Sequence, residues 1–283
     1  MPSYRPLPRR AFRAGLVTGG TRVLPDEVPV ALSYNGTTQA VMMATPDDLQ
    51  DFARGFTLTD GIAHPGEITD ITVVETGGGY DLQIWLADGA ETRLAARRRT
   101  MAGPVGCGLC GIDSIEQALR QPRQLPPTTL TLTPADITRA IADLPAGQVL
   151  HDATRAVHAA AFFVPGTGPG TGPGTGPGKG IVLIREDVGR HNALDKLAGA
   201  LLAAGTDTAT GAVVMTSRVS IDLVQKCVAI GAPVLIAASA PTAQAVEMAD
   251  AAGLTLIALA RGDGFELFTH PDRILQTKAA DVA

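Results

Sequence analysis

Cysteine is scarce in this chain, with only three in 283 residues, too few and too unevenly placed for the framework of a secreted, disulfide-stapled protein. The thiols are therefore read as reduced and chemical, in a cytoplasmic protein. Positive charge is also lacking. Lys and Arg number 23 against 28 Asp and Glu, a formal charge of −5, so no global field draws in nucleic acid or an anionic membrane. The opening stretch MPSYRPLPRRAFRAGLVTGG has no apolar run long enough for a signal core. No later stretch approaches the roughly 20 apolar residues of a transmembrane helix. The expectation is a protein without nucleic-acid or membrane partners, whose anion sites must be local.

What is present divides into two lobes after a start that offers little to bury. Residues 1–25, rich in Pro and Arg, read as a flexible tail. Residues 26–126 read as a smaller α+β lobe. In it VPVALSYNGTTQAVMMA forms two strands around a turn at Asn35-Gly36, and YDLQIWLADG alternates as a half-buried strand. Thr45, Pro46 and Asp48 read as the N-cap, first turn and capping partner of a helix. The Pro-rich QPRQLPP links the lobes, and Thr133 to Asp136 repeats the Thr-Pro-x-Asp helix opening.

Residues 127–283 follow another rhythm, in which an apolar strand, a polar turn and an amphipathic helix recur. IVLI (181–184) precedes a helix with Leu194, Leu197, Ala198, Leu201 and Leu202 on one face. GAVVMTS, PVLIAAS and LTLIALA continue the series. This pattern predicts an α/β lobe with a mostly parallel sheet covered by helices. The repeat GTGPGTGPGTGPGKG (166–180) cannot pack a core and reads as a surface loop. It is not a phosphate-binding P-loop, because Pro173 stands at its first required glycine and Gly180 at its required Ser or Thr.

In such sheets ligands bind beyond the carboxyl ends of the strands, beside helix N-termini. Four ends are polar here: REDVGRHN, TSRVS, SAPT and RGDG. Arg190, Arg218 and Arg261 beside Ser, Thr and Gly suit a phosphate or pyrophosphate. Thr216, Ser217 and Ser220 belong to the same cradle. His191 suits a ligand contact or a proton relay, and equally a structural hydrogen bond. Glu186 and Asp187 could hold Arg190 or meet the donor edge of a guanine or ribose. Taken singly, these residues are also ordinary caps and turns, with Asn192 and Asp195 as one cap pair and Ser220 as another cap. Cys227, inside a helix, reads as a small buried hydrophobe.

The remaining two thiols, Cys107 and Cys110, form a CxxC in TMAGPVGCGLCGIDSIEQAL. A structural zinc site needs two further ligands at matching spacing, and Cys227 supplies no second pair. A nucleobase deaminase needs an HxE ahead of its PCxxC, and none of the five histidines begins one. No metal is expected. A redox dithiol and a sulfur carrier both remain. Gly103, Gly106, Gly108 and Gly111 let the loop swing, as a carrier needs, while Arg97, Arg98, Arg99 and the helix downstream favour thiolate.

With GCGLCG, REDVGRHNALDKL and APTAQAVEMADAAGLTLIALARG in view, the chain resembles the FdhD family of formate dehydrogenase accessory sulfurtransferases from about Val28 to Ile274. Two segments depart from that pattern, TRAVHAAA at Thr154 to Ala161 and Thr216-Ser217-Arg218. The resemblance implies a cytidine-deaminase-like αβα core in the C-terminal lobe, without its zinc, and a homodimer. It implies that a cysteine desulfurase donates persulfide sulfur to Cys107, with Cys110 assisting. The sulfur then passes to the molybdenum bis-molybdopterin guanine dinucleotide cofactor of formate dehydrogenase. It also implies cofactor binding by Leu259, Ala260, Arg261, Gly262, Asp263 and Gly264, with GDP as a mimic. The other readings kept open are a non-catalytic chaperone for that cofactor and a dithiol oxidoreductase.

Overall fold

The computed structural model describes residues 3–90, 92–94, 123–166 and 180–275. The start of the chain corrects the expectation of a tail. Strands β1 (Tyr4–Arg13) and β2 (Leu16–Pro25) form an antiparallel ribbon. Its two-residue turn, Ala14-Gly15, has φ of 47° and 78°, the left-handed pair that matches the twist of a tight hairpin. Its side chains bury little, and its base is anchored by Arg5 Nε on Asp26 Oδ1 at 2.9 Å and by Arg22 donating to Thr154 O at 3.5 Å.

Alternating apolar residues build the smaller sheet. β3 (Val28–Tyr34) and β4 (Thr37–Ala44) turn at Asn35-Gly36 as expected, and β5 (Ile68–Thr76) and β6 (Gly79–Leu86) complete the order β4-β3-β6-β5. Helix α1 (Leu49–Thr59) lays Phe52, Ala53 and Phe56 on the inner face, against Val30, Leu32, Leu82 and Ile84. Thr45 does not cap this helix. Asp48 precedes its first turn, with φ 52°, and makes no side-chain cap bond. Thr45 is instead drawn onto the other lobe: its N–H donates to Asp187 Oδ2 at 3.0 Å and its Oγ1 accepts from Val188 N at 3.1 Å.

The second lobe opens with α2 (Pro134–Ala142), where Thr133 and Asp136 form the expected reciprocal cap. Short helices α3 (Leu144–Gly147) and α4 (Val149–Thr154) follow. Then come β7 (His158–Phe163), β8 (Ile181–Asp187), α5 (Arg190–Ala203), β9 (Ala212–Met215), α6 (Ile221–Ile230), β10 (Val234–Ala237), α7 (Ala243–Ala252), β11 (Thr255–Arg261) and β12 (Gly264–Leu267). The strand order is β12-β11-β10-β9-β7-β8. The sheet is mixed rather than mostly parallel. β9, β10 and β11 pair parallel, while β7 runs antiparallel to both β8 and β9, and β12 antiparallel to β11. The cause is HAAAFF, which inserts as a fully used strand between β8 and β9. Because β7 reverses direction on both sides, β8 still points the same way as β9, β10 and β11.

Helices cover both faces. α5, α6 and α7 pack over Phe162, Val213, Leu235 and Leu256, and α2 packs over Phe163, Val214, Ile236 and Ile257. Three layers result. The lobes meet where α1 crosses α5 at two glycines. A Cβ on Gly55 would lie 1.7 Å from Asp195 O, and one on Gly199 would lie 1.9 Å from Asp51 O. Only glycine lets these backbones approach so closely.

Candidate functional site

The carboxyl ends of β8, β9, β10 and β11 lie along one rim of the large sheet, stitched together by main-chain bonds. At the start of β7, Ala159 N donates to Thr216 Oγ1 at 3.0 Å and Thr216 N donates to Ala159 O at 3.2 Å, tying β7 to the loop after β9. That loop bridges to the next through Val219 and Pro241. The loop after β10 is tied to β11 in turn, by Leu259 N donating to Ser239 O at 3.3 Å and Arg261 Nε donating to Ala238 O at 2.8 Å.

Two helix N-termini open onto this rim. His191 lies in the first turn of α5, and Ser220 is the N-cap of α6. Ser220 Oγ makes no cap bond; it and His191 Nε2 are buried polar atoms without a hydrogen-bond partner among the described residues. His191 Nε2 stands 3.6 Å from Asp222 Oδ2. Burial, reinforced by the charges of Arg190, Lys226 and His158, lowers the His191 imidazole to a pKa of about 4. It is neutral at physiological pH. His158, at the start of β7, is lowered too, by burial and then by Arg190. Unsatisfied buried groups of this kind cost free energy unless a ligand or solvent completes them.

The predicted residues separate into two groups. His191, Thr216, Ser217, Arg218, Ser220 and Arg261 share the rim. Ser217 is buried and donates to Arg218 O at 3.1 Å; Arg218 and Arg261 are exposed. Leu259 to Gly264 span the end of β11 and the turn into β12, with a register shift between Ala258 and Arg261. Leu259 and Gly262 there adopt left-handed φ values of 52° and 57°. A non-glycine residue held in that region is uncommon, and bulges of this kind re-aim strand ends near sites. Gly262, Asp263 and Gly264 are exposed, and Ala260 is buried.

Glu186 does not join them. Its carboxylate accepts from Leu150 N at 2.7 Å and His151 N at 2.8 Å, capping α4. It lines a separate cavity of about 240 Å³ with Tyr4, Asp47, Asp48 and Arg185. Burial pushes both Glu186 and Asp48 above the usual carboxylate range. Cys107 and Cys110 lie outside the described residues. Cys227 is on the buried face of α6, and burial pushes its thiol well up.

Sequence reasoning missed the set that fixes the rim to the smaller lobe. Asp187 and Lys196 form an ion pair at 2.7 Å with both side chains fully buried. Asp187 also accepts from Thr45 N, Gly189 N and Asn192 Nδ2, and Lys196 donates to Thr45 O at 2.9 Å. Asn192 Nδ2 also reaches Met43 O at 2.9 Å. Asn192 and Asp195 are thus not a cap pair. Asp195 accepts from Thr59 Oγ1 and from Lys226 Nζ at 2.7 Å, and its carboxyl is raised chiefly by burial. No local signal marked this set: Lys196 lies on the helix face opposite the stripe of Leu194, Leu197 and Leu201, where a lysine reads as solvated.

With this geometry in place, the comparisons with known proteins become informative. The model of the FdhD/NarQ family matches residues 25–275. The chain belongs to that family. Among curated relatives, the "Sulfur carrier protein FdhD" of Agrobacterium fabrum is 53% identical over 274 residues, spanning 96% of this chain and 97% of that protein. That of Brucella abortus is 52% identical, spanning 91% of each. The fold matches the crystal structure of a candidate formate dehydrogenase accessory protein from Desulfotalea psychrophila with a TM-score of 0.74 at 24% identity, covering 97% of this chain and all of that one. The family match begins at Pro25, the last residue of β2, and ends just past β12. Both lobes and the lock between them therefore lie within the matched residues.

Proposed function

We propose that this chain is a cytoplasmic sulfur carrier that takes sulfur from a cysteine desulfurase. It passes that sulfur to the molybdenum bis-molybdopterin guanine dinucleotide needed by formate dehydrogenase. Support comes from the rim, where the His191 and Ser220 atoms without partners face two helix N-termini beside Arg190, Arg218 and Arg261. Such an array suits the phosphates of a guanine nucleotide. The αβα layering is compatible with a cytidine-deaminase-like core. No helix among the described residues is long and apolar enough to cross a membrane.

The sulfur step rests on Cys107. Its thiolate attacks the outer sulfur of the donor persulfide, breaking that S–S bond, and the donor cysteine leaves as thiolate. No net oxidation occurs at this step. For release, the Cys110 thiolate attacks the Cys107 sulfur and expels the carried atom as sulfide. The electron pair comes from the dithiol, leaving a Cys107–Cys110 disulfide that a thiol reductant reopens.

Calorimetry with GDP tests the nucleotide half. GDP is expected to bind with an affinity that falls as salt is raised, and guanosine to bind much more weakly. Equal affinity for GDP and guanosine would exclude a site dominated by phosphate.

A further inference from the structure

Asp222 lies in the first turn of α6, two residues past the N-cap Ser220. Its natural partner is Lys226, one turn further along the same helix. That lysine is committed elsewhere, its Nζ donating to Asp195 Oδ1 at 2.7 Å and to Thr59 Oγ1 at 3.1 Å. Among the described residues, the titratable group left to Asp222 is His191 on α5, whose Nε2 stands 3.6 Å from Asp222 Oδ2. Both side chains reach the rim, His191 18% and Asp222 30% exposed.

A separation of 3.6 Å is too long for a hydrogen bond, and His191 Nε2 has no other partner among the described residues. The pair is assembled but open. Charge keeps it so. Burial, Arg190 on α5, Lys226 on α6 and His158 on β7 all disfavour an imidazolium and outweigh Asp222, leaving the ring neutral with a pKa of about 4. An oxyanion at the rim reverses this balance, because it offsets Arg190 and adds a negative charge beside the ring. An imidazolium carries a donor on each nitrogen, one for Asp222 and one for a ligand oxygen, whereas a neutral ring has a single donor.

We propose that Asp222 is a positioning residue for His191, and that the pair takes one proton from solvent when the phosphates of a nucleotide occupy the rim. This regulation rests on the nucleotide reading of the rim. The proton adds to the ring, and no bond of the ligand breaks. Linkage is reciprocal: the factor by which the ligand tightens the proton is the factor by which the proton tightens the ligand. Affinity therefore rises as pH falls towards about 4, by at most about ten-fold per pH unit.

Calorimetry of the full chain with GDP at about pH 6, in two buffers of different ionisation heat, counts the protons. The chain should take up about half a proton or more beyond the uptake of His191→Gln, whose side chain does not titrate. Titration of the ligand's own phosphates is common to both and cancels. Asp222→Asn keeps the shape and removes the charge. It should bind GDP at least as tightly as the parent at about pH 8, with one negative charge fewer near the phosphates, and lose about two-fold or more relative to the parent at about pH 6. A merely structural Asp222 would weaken binding by the same factor at both. Carbon-13 spectra of labelled histidine follow the ring in the parent itself, where excess GDP should move the His191 pKa from about 4 to about 6 or above. Were either variant to melt early, that titration decides alone. Equal heats in the two buffers, equal uptake in His191→Gln, parallel pH profiles for Asp222→Asn or an unmoved His191 titration would overturn the proposal. Inorganic pyrophosphate separates it from the nucleotide reading. Pyrophosphate binding with proton uptake, while GDP fails to bind, would uphold the proton-linked pair and sink the nucleotide reading. GDP binding without uptake would do the reverse, and failure of both ligands to bind would overturn both.

Discussion

Asp187 and Lys196, nine residues apart in one sequence motif, close an ion pair of 2.7 Å with neither side chain exposed. The pair seats the backbone of Thr45 between the lobes. Removing one partner strands a buried charge, which costs about 3–5 kcal/mol. Lys196→Met is therefore expected to lower unfolding free energy by about that amount in urea titration. A change below 1 kcal/mol would mean that the three other donors to Asp187 suffice.

The α1–α5 crossing gives a second stability prediction. A Cβ at Gly199 would stand 1.9 Å from the Asp51 carbonyl, a main-chain atom that cannot swing aside. Gly199→Ala should cost at least about 1–3 kcal/mol. Gly66→Ala, with open space around it, should be nearly silent. Equal midpoints for the two variants would place the lobe contact elsewhere.

His191 makes stability depend on pH. Its folded pKa of about 4 lies below the ordinary 6.5, so between those values the unfolded chain binds the extra proton. Stability then rises with pH across that window and is lost as pH falls through it. His158, also lowered, acts in the same sense. His191→Gln should flatten the dependence of the urea midpoint between pH 6.5 and about 4. Parallel curves for the two proteins would remove His191 as a source. A phosphate bound nearby would raise this imidazole again. Nucleotide binding in that window should therefore take up protons, seen as a buffer-dependent heat.

Arg261→Ala is expected to separate nucleotide binding from sulfur loading. Its Nε holds Ala238 O while the residue remains exposed. Loss of one charge-assisted bond to phosphate is worth roughly 1.5–3 kcal/mol, about ten-fold or more in affinity. Arg261→Ala should weaken GDP binding by that factor and leave persulfide loading intact. Unchanged GDP affinity would take Arg261 out of the site.

Much of this was legible in the sequence, and the failures share a cause. Local signals read correctly: Asn35-Gly36 as a hairpin turn, Thr133 with Asp136 as a reciprocal cap, and the apolar stripe of α5. Each is decided within a few residues. Thr45 carries the same signal as Thr133, yet a carboxylate 142 residues away captured its N–H. Glu186 was diverted likewise, by two N–H groups of α4. Pairing with non-sequential partners also put β7 between β8 and β9, which strand-by-strand rhythm cannot reveal. The ribbon escaped notice because its Pro and Arg residues offer little to bury, although Ala14-Gly15 was its turn signal. For the cradle, residue types were readable, but the choice of rim over cavity depended on main-chain stitching.

The central claim is that Cys107 carries the sulfur, and intact-protein mass spectrometry after incubation with a cysteine desulfurase and cysteine tests it most directly. One added sulfur is expected on the chain, lost in Cys107→Ala and retained, at reduced level, in Cys110→Ala. Undiminished added sulfur in Cys107→Ala, or none in the chain itself, would contradict it.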